Sequence, residues 1–372
     1  MPTFKEKLEN FKTFTPKEKM KYVYRFARRR LAQVYRRLLY NNFTLPYFYK
    51  KRDKELKEKD KNINFDIDTV YMWVDGSDSK IVEKRNKYLK LEGKEPTPEA
   101  ISKGRFYDND ELKYSFRSLE KYAPWVRHIF LITDEQVPKW LKDNPKLTVV
   151  DHKDIIDEKY LPTFNSEVLD FNIHKIKGLA DRFILLNDDM FFGRRVYKSF
   201  FFTEEGKPIK YLRKLNRRKL YLTGPNMFFD IYRKCQRMIE EKFRQIPTTR
   251  FAHAVTPYLR DSFQEVIDLF PDDVEKTLNS KFRKEYDISR FLVDHYEIAV
   301  KGAQIVDIVK FWNAFVVDVD IRDDTLYKFE LIKKLGPYMY CLNDTEHTTD
   351  ENRRVCREFL ERTSPKKSSF EK

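Results

Sequence analysis

Four short apolar runs occur after residue 66 of the sequence, and longer amphipathic stretches separate them. The runs cover residues 70–74, 128–133, 148–150 and 183–186. Continuous apolar runs of this length are typical of strands that are buried on both faces, and intervening helices favour parallel pairing. The pattern therefore predicts an α/β fold in which helices cover both faces of a mostly parallel sheet.

The stretches between the runs indicate where the covering helices lie. Leu112, Phe116 and Leu119 recur at helical spacing after a polar start, and Pro124 ends that pattern. A further helix is predicted over residues 165–176. Later in the chain, helical patterns return from residue 251 onwards, and a short strand is predicted over residues 338–342.

Charge divides the chain into an arm and a main domain. Residues 1–62 contain 19 Lys and Arg against 7 Asp and Glu, which accounts for most of the net charge of +15. We therefore predict a basic arm at 1–62 and a main domain at 63–372. Within the main domain, residues 200–250 are polar, basic and less regular, which predicts an insertion or lid.

The arm also has an amphipathic pattern. Apolar residues recur at helical spacing between positions 20 and 39, with Lys and Arg at the other positions. Such a helix is typical of binding to an anionic membrane surface, although packing on the main domain would give the same pattern. With no apolar leader or membrane span, we expect a cytoplasmic protein, peripheral at the inner face of the membrane. The nearly balanced charge of the main domain disfavours nucleic acid as a partner.

Acidic groups follow the predicted strands and suggest a metal site. Asp188 and Asp189 come directly after the fourth run, and their carboxylates suit Mg²⁺ or Mn²⁺ bound to a diphosphate. Asp108, Asn109 and Glu111 lie together at a predicted helix start. Turn formation and helix capping are the alternative explanations for both groups.

Four further features bear on possible sites. His253 could accept a proton from a hydroxyl, or be structural, and Arg283 could bind a phosphoryl oxygen. The acidic segment 318–324 lacks the glycine and glutamate of a calcium loop, so we interpret it as a solvated edge. The three cysteines have no paired spacing and form no Cys/His motif typical of zinc, which favours a reduced compartment.

Four segments, taken together and in order, resemble the conserved regions of Stealth proteins. The first is IDTVYMWVDGSD at residues 67–78, and the second begins with RFYDNDELKYSFRSLEKYAP at 105–124 and continues to RFILLNDDMFFG. Residues 251–289 are similar to the third region, and the stretch from YCLNDTEHTTDENRR to the end is similar to the fourth. The resemblance covers roughly residues 66–372, and the basic arm and parts of residues 200–250 lie outside it.

The resemblance implies a catalytic domain at 63–372 with a Rossmann-like, GT-A-like sheet that binds a nucleotide-sugar. It implies a UDP-sugar donor, a divalent metal, a glycan or lipid-linked glycan acceptor, and transfer of sugar-1-phosphate with release of UMP. Asp188 and Asp189 would lie by the metal. The other residues that it implies for the site are Asp108 and His253 as catalytic groups, Arg117 and Arg283 as phosphate partners, and Trp73, Val74, Asp75, Gly76, Arg105, Asn109, Glu111, Asn165, Asn343 and Asp344 as substrate-binding groups.

In the expected reaction, an acceptor hydroxyl attacks the β-phosphorus of the donor while His253, polarised by Asp108, accepts the proton. Two other functions remain open from the sequence. A metal-dependent glycosyltransferase with the same sheet would attack the anomeric carbon and release UDP. A non-catalytic scaffold at the membrane surface would use only the basic arm.

Overall fold

The computed structural model describes residues 43–93, 108–214, 227–244, 249–308, 311–345 and 347–372, together with positions 15, 16, 20 and 24. Arg105 and nearly all of the amphipathic pattern predicted in the arm therefore lie outside the described residues. The chain divides into two compact units, Met1–Glu55 and Leu56–Lys372. The domain boundary between residues 62 and 63 stays a prediction.

From residue 45 onwards, the described residues form strands and helices in turn. The strands are β1 Asp68–Met72, β2 Ile129–Thr133, β3 Leu147–Asp151, β4 Arg182–Asn187, β5 Met190–Phe192, β6 Ile209–Lys214, β7 Thr249–Phe251, β8 Thr256–Leu259, β9 Gln304–Asp307, β10 Val316–Asp320 and β11 Met339–Asn343. The helices are α1 Leu45–Asp60, α2 Ser79–Glu92, α3 Glu111–Tyr122, α4 His152–Ile155, α5 Ser166–Asp170, α6 Lys198–Phe201, α7 Met227–Phe243, α8 Arg260–Leu269, α9 Pro271–Leu278, α10 Phe291–Ala299, α11 Trp312–Phe315, α12 Tyr327–Leu335 and α13 Asp350–Thr363.

A five-stranded sheet with the order β3-β2-β1-β4-β8 forms the centre of this unit. Strands β1 to β4 are the four apolar runs seen in the sequence, and they pair in parallel. β8 is antiparallel to β4 and lies at the edge of the sheet. The predicted α/β class and the mostly parallel sheet are therefore confirmed.

Helices cover both faces of the central sheet. On one face, Val70 of β1 and Phe183 of β4 belong to a buried cluster with Phe263 of α8 and Leu292 of α10. On the other face, Tyr71 of β1 packs against α3, where its ring lies 4.9 Å from that of Phe116. Burial on both faces explains why these strands are continuous apolar runs, since neither face meets water.

Two three-stranded sheets flank the central one, with the orders β10-β11-β5 and β7-β6-β9. The chain enters the first of them directly after β4, because β5 begins at Met190 and pairs with β11. β6 lies in the segment predicted as an insertion, where it pairs with β7 and β9. Phe200, Phe201 and Phe202 are fully buried, so the beginning of that segment belongs to the core.

The helix predicted over 165–176 is wrong in its extent. The chain forms the short helix α5 and then a separate 3₁₀ turn at Ile173–Lys175. Between them, Asn172 donates its side-chain amide to the carbonyl of Val168 at 2.8 Å. Asn side chains that bond the backbone in this way compete with helical hydrogen bonds, which accounts for the interruption.

Candidate active site

The carboxyl ends of β1 and β4 lie side by side. Met72 is in register with Asn187, so Trp73 and Asp188 are the next residues on the two neighbouring strands. β2 and β3 lie on one side of β1, whereas β4 lies on its other side. The strand order therefore reverses between β1 and β4, which makes this boundary the switch point of the sheet. Ligands of open α/β sheets bind at such points.

The loop after β1 contains four of the predicted substrate-binding residues, Trp73, Val74, Asp75 and Gly76. Trp73 continues the strand by donating its backbone N–H to the carbonyl of Ile132 at 3.0 Å. Asp75 then forms a turn, in which its Oδ1 accepts from the backbone N–H of Ser77 at 2.9 Å. These contacts keep the loop at the edge where Asp188 lies.

Asp188 and Asp189 form the turn between β4 and β5 and are half-buried. Burial raises the pKa of Asp188 well above its usual value, and the charges of Asp189 and Asp108 raise it further. Burial also raises the pKa of Asp189, whose Oδ1 is buried with no hydrogen-bond partner among the described residues. An unpaired buried carboxylate oxygen beside a second acid fits a divalent cation, because the cation would offset both charges.

Asp108, Asn109 and Glu111 lie where α3 begins. Burial raises the pKa of Asp108 to about 6, helped by the charges of Asp110 and Asp75. Burial likewise holds the pKa of Glu111 well above its usual value, and Asp188 is the next largest cause. Asn109 supports Glu111 by donating its backbone N–H and its side-chain amide to the two carboxylate oxygens, at 2.7 and 2.8 Å. The acids at the start of α3 and in the turn after β4 therefore raise one another's pKa values.

His253 lies in the turn before β8, and its neighbour differs from the one expected. Its Nδ1 is 3.8 Å from Oδ1 of Asp318, so Asp318 and not Asp108 is its carboxylate partner. Burial lowers the pKa of His253, but Asp318 and Asp189 outweigh burial and hold that pKa above its usual value. Nδ1 or Nε2 of His253, a carboxylate oxygen of Asp318 and Sγ of Cys341 lie within 4.8 Å of one another.

The interpretation of segment 318–324 as a solvated edge is wrong for Asp318. The residue is on β10, beside β11, and accepts a hydrogen bond from Nδ2 of Asn343 at 2.5 Å. Burial raises the pKa of Asp318, but His253 and Asn343 outweigh burial and hold it below its usual value. His253 and Cys341 are far apart in the sequence, so they form no Cys/His motif there. The fold nevertheless brings Cys341 beside His253 and Asp318.

Asn343 is the last residue of β11, and Asp344 follows it. Asp344 accepts from Nδ2 of Asn109 at 3.2 Å and from Nε and Nη2 of Arg353 at 2.7 and 3.0 Å. Arg353 thus fixes Asp344, and Asp344 fixes the start of α3. Asp344 is thus held beside Asn109 while Asn343 bonds Asp318, and the substrate roles of Asn343 and Asp344 stay predictions.

Arg117 lies in a different environment from the one implied. Its Nε and Nη2 donate to the two carboxylate oxygens of Glu371 at 2.9 and 2.8 Å, and its Nη1 donates to the carbonyl of Ser364 at 2.7 Å. These contacts commit the guanidinium to the end of the chain. The structure therefore gives Arg117 a packing role in place of a phosphate contact.

Arg283 contacts the first turn of α5, which Asn165 caps. Nε of Arg283 donates to Glu167 at 2.7 Å, and Nη2 donates to Ser166 at 2.7 Å. Asn165 caps α5 and donates to Asp287 at 2.8 Å. The structure does not bring either side chain into contact with Asp188 or His253, so their substrate roles stay predictions.

Arg290 is a cation near the site that sequence reasoning missed. Its Nη1 pairs with Asp170 at 3.1 Å, and its positive charge is among the influences that lower the pKa of His253. It follows Ser289 without any motif, so no signal in the sequence distinguished it from other arginines. Among the described residues, no helix is long and apolar enough to cross a membrane.

Comparison with known proteins gives a consistent result. Residues 105–210 match conserved region 2 of Stealth proteins. The chain is 32% identical over 310 residues to the capsular polysaccharide phosphotransferase fcs1 of Haemophilus influenzae, covering 80% of this chain and 83% of that protein. It is 31% identical over 345 residues to the exopolysaccharide phosphotransferase cps2G of Lactiplantibacillus plantarum, covering 83% and 97%.

Among solved structures, the galactosyltransferase LgtC aligns with a TM-score of 0.38 and 9% identity, over 79% of this chain and 95% of that one. The family assignment does not depend on this alignment. It is carried by the match to conserved region 2 and by two relatives that are more than 30% identical and aligned over most of their length. The chain belongs to the Stealth family.

Proposed function

We propose that this protein transfers sugar-1-phosphate from a UDP-sugar to a hydroxyl of a glycan acceptor and releases UMP. The product is a phosphodiester in capsular or other cell-surface polysaccharide. The relatives described above are capsular and exopolysaccharide phosphotransferases, which supports sugar-phosphate transfer. The observation that carries the proposal is the position of the acid pair Asp188–Asp189 beside His253 and Asp318 at the switch point of the sheet.

Asp188 and Asp189 are the groups that would hold Mg²⁺ or Mn²⁺, since Asp189 presents an unpaired buried oxygen and both carboxyls have raised pKa values. When bound, such a cation neutralises charge on the phosphoryl oxygens of the donor. Trp73 to Gly76, on the neighbouring strand end, would contact the nucleotide. Asp344 and Asn109, which bond each other, would close the opposite side.

His253 would accept the proton of the acceptor hydroxyl as the oxygen attacks the β-phosphorus. The bond that breaks joins the β-phosphorus to the oxygen of the α-phosphate, so UMP leaves with that oxygen. Asp318 would stabilise the imidazolium that forms, because its carboxylate faces Nδ1 of His253 at 3.8 Å. Arg290 would limit this protonation, because its positive charge lowers the pKa of His253.

The product nucleotide tests the proposal. The full-length protein is incubated with a panel of UDP-sugars and a glycan acceptor, and UMP and UDP are quantified separately. UMP formed in step with a phosphodiester-linked product supports the proposal. Formation of UDP instead would identify a glycosyltransferase that attacks the anomeric carbon, and no nucleotide release with any donor would contradict both.

A further inference from the structure

A second polar cluster lies at the carboxyl ends of β2 and β3, outside the group just described. Asp134 directly follows β2, and Nζ of Lys84 on α2 contacts both of its carboxylate oxygens at 3.0 and 3.2 Å. His152 begins α4 directly after β3, and its Nδ1 lies 3.9 Å from Oδ1 of Asp134. The cluster thus joins three elements around one carboxylate.

His152 is buried without satisfying its hydrogen-bonding groups. Its residue surface is 3% exposed, and neither ring nitrogen has a hydrogen-bond partner among the described residues. Burial lowers the pKa of His152 despite the charge of Asp134, which favours the neutral ring with one donor and one acceptor. Buried polar groups in native proteins are nearly always paired, so this ring indicates a site that is completed by another molecule.

The loop that carries Asp134 is held in an unusual conformation. Glu135 has a φ of 54°, in the left-handed region that residues other than glycine seldom adopt. Its backbone N–H donates to Oδ2 of Asp151 at 2.8 Å. The next residue, Gln136, accepts from the backbone N–H of Asp75 at 2.9 Å and donates to its carbonyl at 3.1 Å. Strained loops held by several contacts are frequent at ligand sites.

The position of the cluster relative to Asp188 suggests its ligand. Neighbouring strands are about 4.8 Å apart, so the ends of β4 and β2 are separated by about 10 Å across β1. If a diphosphate lies at the β1–β4 boundary, the nucleoside attached to it extends over β1 towards β2. In dinucleotide-binding sheets, an acid some twenty residues beyond the glycine-rich turn accepts hydrogen bonds from the ribose.

We propose that Asp134 recognises the nucleoside half of the donor by accepting a hydrogen bond from it, with Lys84 holding the carboxylate in place. The ring nitrogens of His152, unpaired within the described part of the chain, would bond the same nucleoside. This inference rests on the proposed function, because it assumes a nucleotide-sugar donor. The hydrogen-bond donor is either a ribose hydroxyl or the imide N–H of the base. Both would meet the same carboxylate.

Nucleotide binding to the full-length protein with Mg²⁺, measured by calorimetry, tests the inference. UMP is compared with 2′-deoxy-UMP, which lacks one ribose hydroxyl, and with CMP, which lacks the imide N–H. For Asp134→Asn we expect UMP affinity to fall about 10- to 100-fold, as when a hydrogen bond to a charged group is lost. The preference of the wild type for UMP over one of the two analogues should disappear in the variant, which identifies the group that is recognised.

The control is Glu265→Gln. Glu265 lies on α8 and pairs with Lys301, and this ion pair is comparable to that of Lys84 and Asp134. It should bind UMP as the wild type does. If Asp134→Asn is too unstable to assay, Lys84→Met provides the second variant. It should also weaken UMP binding and reduce the preference for UMP over the same analogue. Unchanged UMP affinity in the Asp134 or Lys84 variant, or an equal loss in the control, would overturn the inference. A wild type that binds UMP but releases only UDP from donors would contradict the proposed function and leave this site standing.

Discussion

Arg117 and Glu371 form a bidentate ion pair whose side chains are only 7% and 3% exposed. The pair joins α3, which begins at the acids of the candidate site, to the segment after α13. Removing one partner of a buried pair leaves the other charge uncompensated. Stability, and not phosphate binding, is therefore where changes at Arg117 should have their main effect.

We expect Glu371→Ala to lower the free energy of unfolding by about 3–5 kcal/mol, as for other broken buried pairs. Urea denaturation followed by tryptophan fluorescence measures it. The matched control is Glu351→Ala, because Glu351 pairs with Arg354 at the surface with 63% of its side chain exposed. That change should cost less than about 1 kcal/mol. Equal effects of the two substitutions would contradict a structural role for the buried pair.

His253→Ala should reduce turnover by roughly 10²- to 10⁴-fold, the usual contribution of a general base. Affinity for Mn²⁺ should remain close to that of the wild type, since the proposed cation ligands are Asp188 and Asp189. Turnover is followed by UMP release and Mn²⁺ binding by electron paramagnetic resonance. His347→Ala, at an exposed position, serves as the control.

A different outcome for His253→Ala would be equally informative. Loss of Mn²⁺ binding would mean that His253 is a ligand with Asp318 and Cys341, whose ligand atoms lie within 4.8 Å of it. In that case the proton would have to be accepted elsewhere. Turnover near that of the wild type, with Mn²⁺ binding intact, would remove His253 from the mechanism.

Asp188→Asn should stabilise the metal-free protein at pH 7 while weakening cation binding. Burial and the charges of Asp189 and Asp108 raise the pKa of Asp188, so its ionised form destabilises the fold when no cation is present. We expect a higher melting temperature in EDTA and a smaller increase on adding Mn²⁺, both measured by calorimetry. Asp181→Asn, at an exposed carboxylate, should leave both quantities unchanged. A lower melting temperature in EDTA would contradict the electrostatic account of the acid pair.

Asp287 should make stability depend on pH. Burial raises its pKa to about 6, although Lys284, Ser280 and Asn165 donate hydrogen bonds to it. Because the folded state binds this proton more tightly than the unfolded state, the contribution is fully present below about pH 4 and is lost as the pH rises through about 6. A pKa of about 6 in place of the ordinary carboxyl value corresponds to on the order of 3 kcal/mol in the free energy of unfolding.

Asp287→Asn tests this dependence by urea denaturation between pH 4 and pH 7. The stability of the wild type relative to the variant should be greatest at the acidic end and should fall towards pH 7. A constant loss of hydrogen bonds in the variant does not alter that slope. A difference that stays the same across the range would show that Asp287 has an ordinary pKa.

Removal of residues 1–42 should abolish binding to vesicles that contain anionic lipids, if the basic arm is the membrane contact. The deletion ends before α1, because Ser199 donates to the carbonyl of Leu56 and to the side chain of Asp60 at the end of that helix. Sedimentation with vesicles measures binding, and UMP release with a short soluble acceptor should be unaffected. Binding that persists after the deletion would place the contact elsewhere.

The strands β1, β2 and β4 could be predicted because they are buried on both faces and are mostly apolar. β3 could be predicted from its short apolar run, although Thr148 and Val149 are exposed. Of the flanking strands, only β11 was predicted, from the apolar run at residues 338–342. β6 contains Lys210, which is fully buried because Asp294 and Glu297 surround its ammonium group at 2.7 and 2.6 Å. A strand that contains a buried lysine neutralised by acids distant in sequence has no continuous apolar run to recognise.

The candidate site was predictable in part for a similar reason. Asp188 and Asp189 follow a clear strand, so their position at the sheet edge could be derived. Asp318 alternates with valines on β10, and Cys341 is one apolar residue of β11. Their approach to His253 depends on how the β10–β11 sheet packs beside β4, which local sequence does not specify.

That arrangement has a consequence for the order in which the protein acquires activity. A nascent chain that has folded β1 to β4 already carries Asp188 and Asp189, but the partners of His253 are on strands that are synthesised much later. Contacts between such distant segments form slowly, because the intervening chain must be ordered first. Catalytic competence should therefore appear at the end of folding, after the central sheet has become compact.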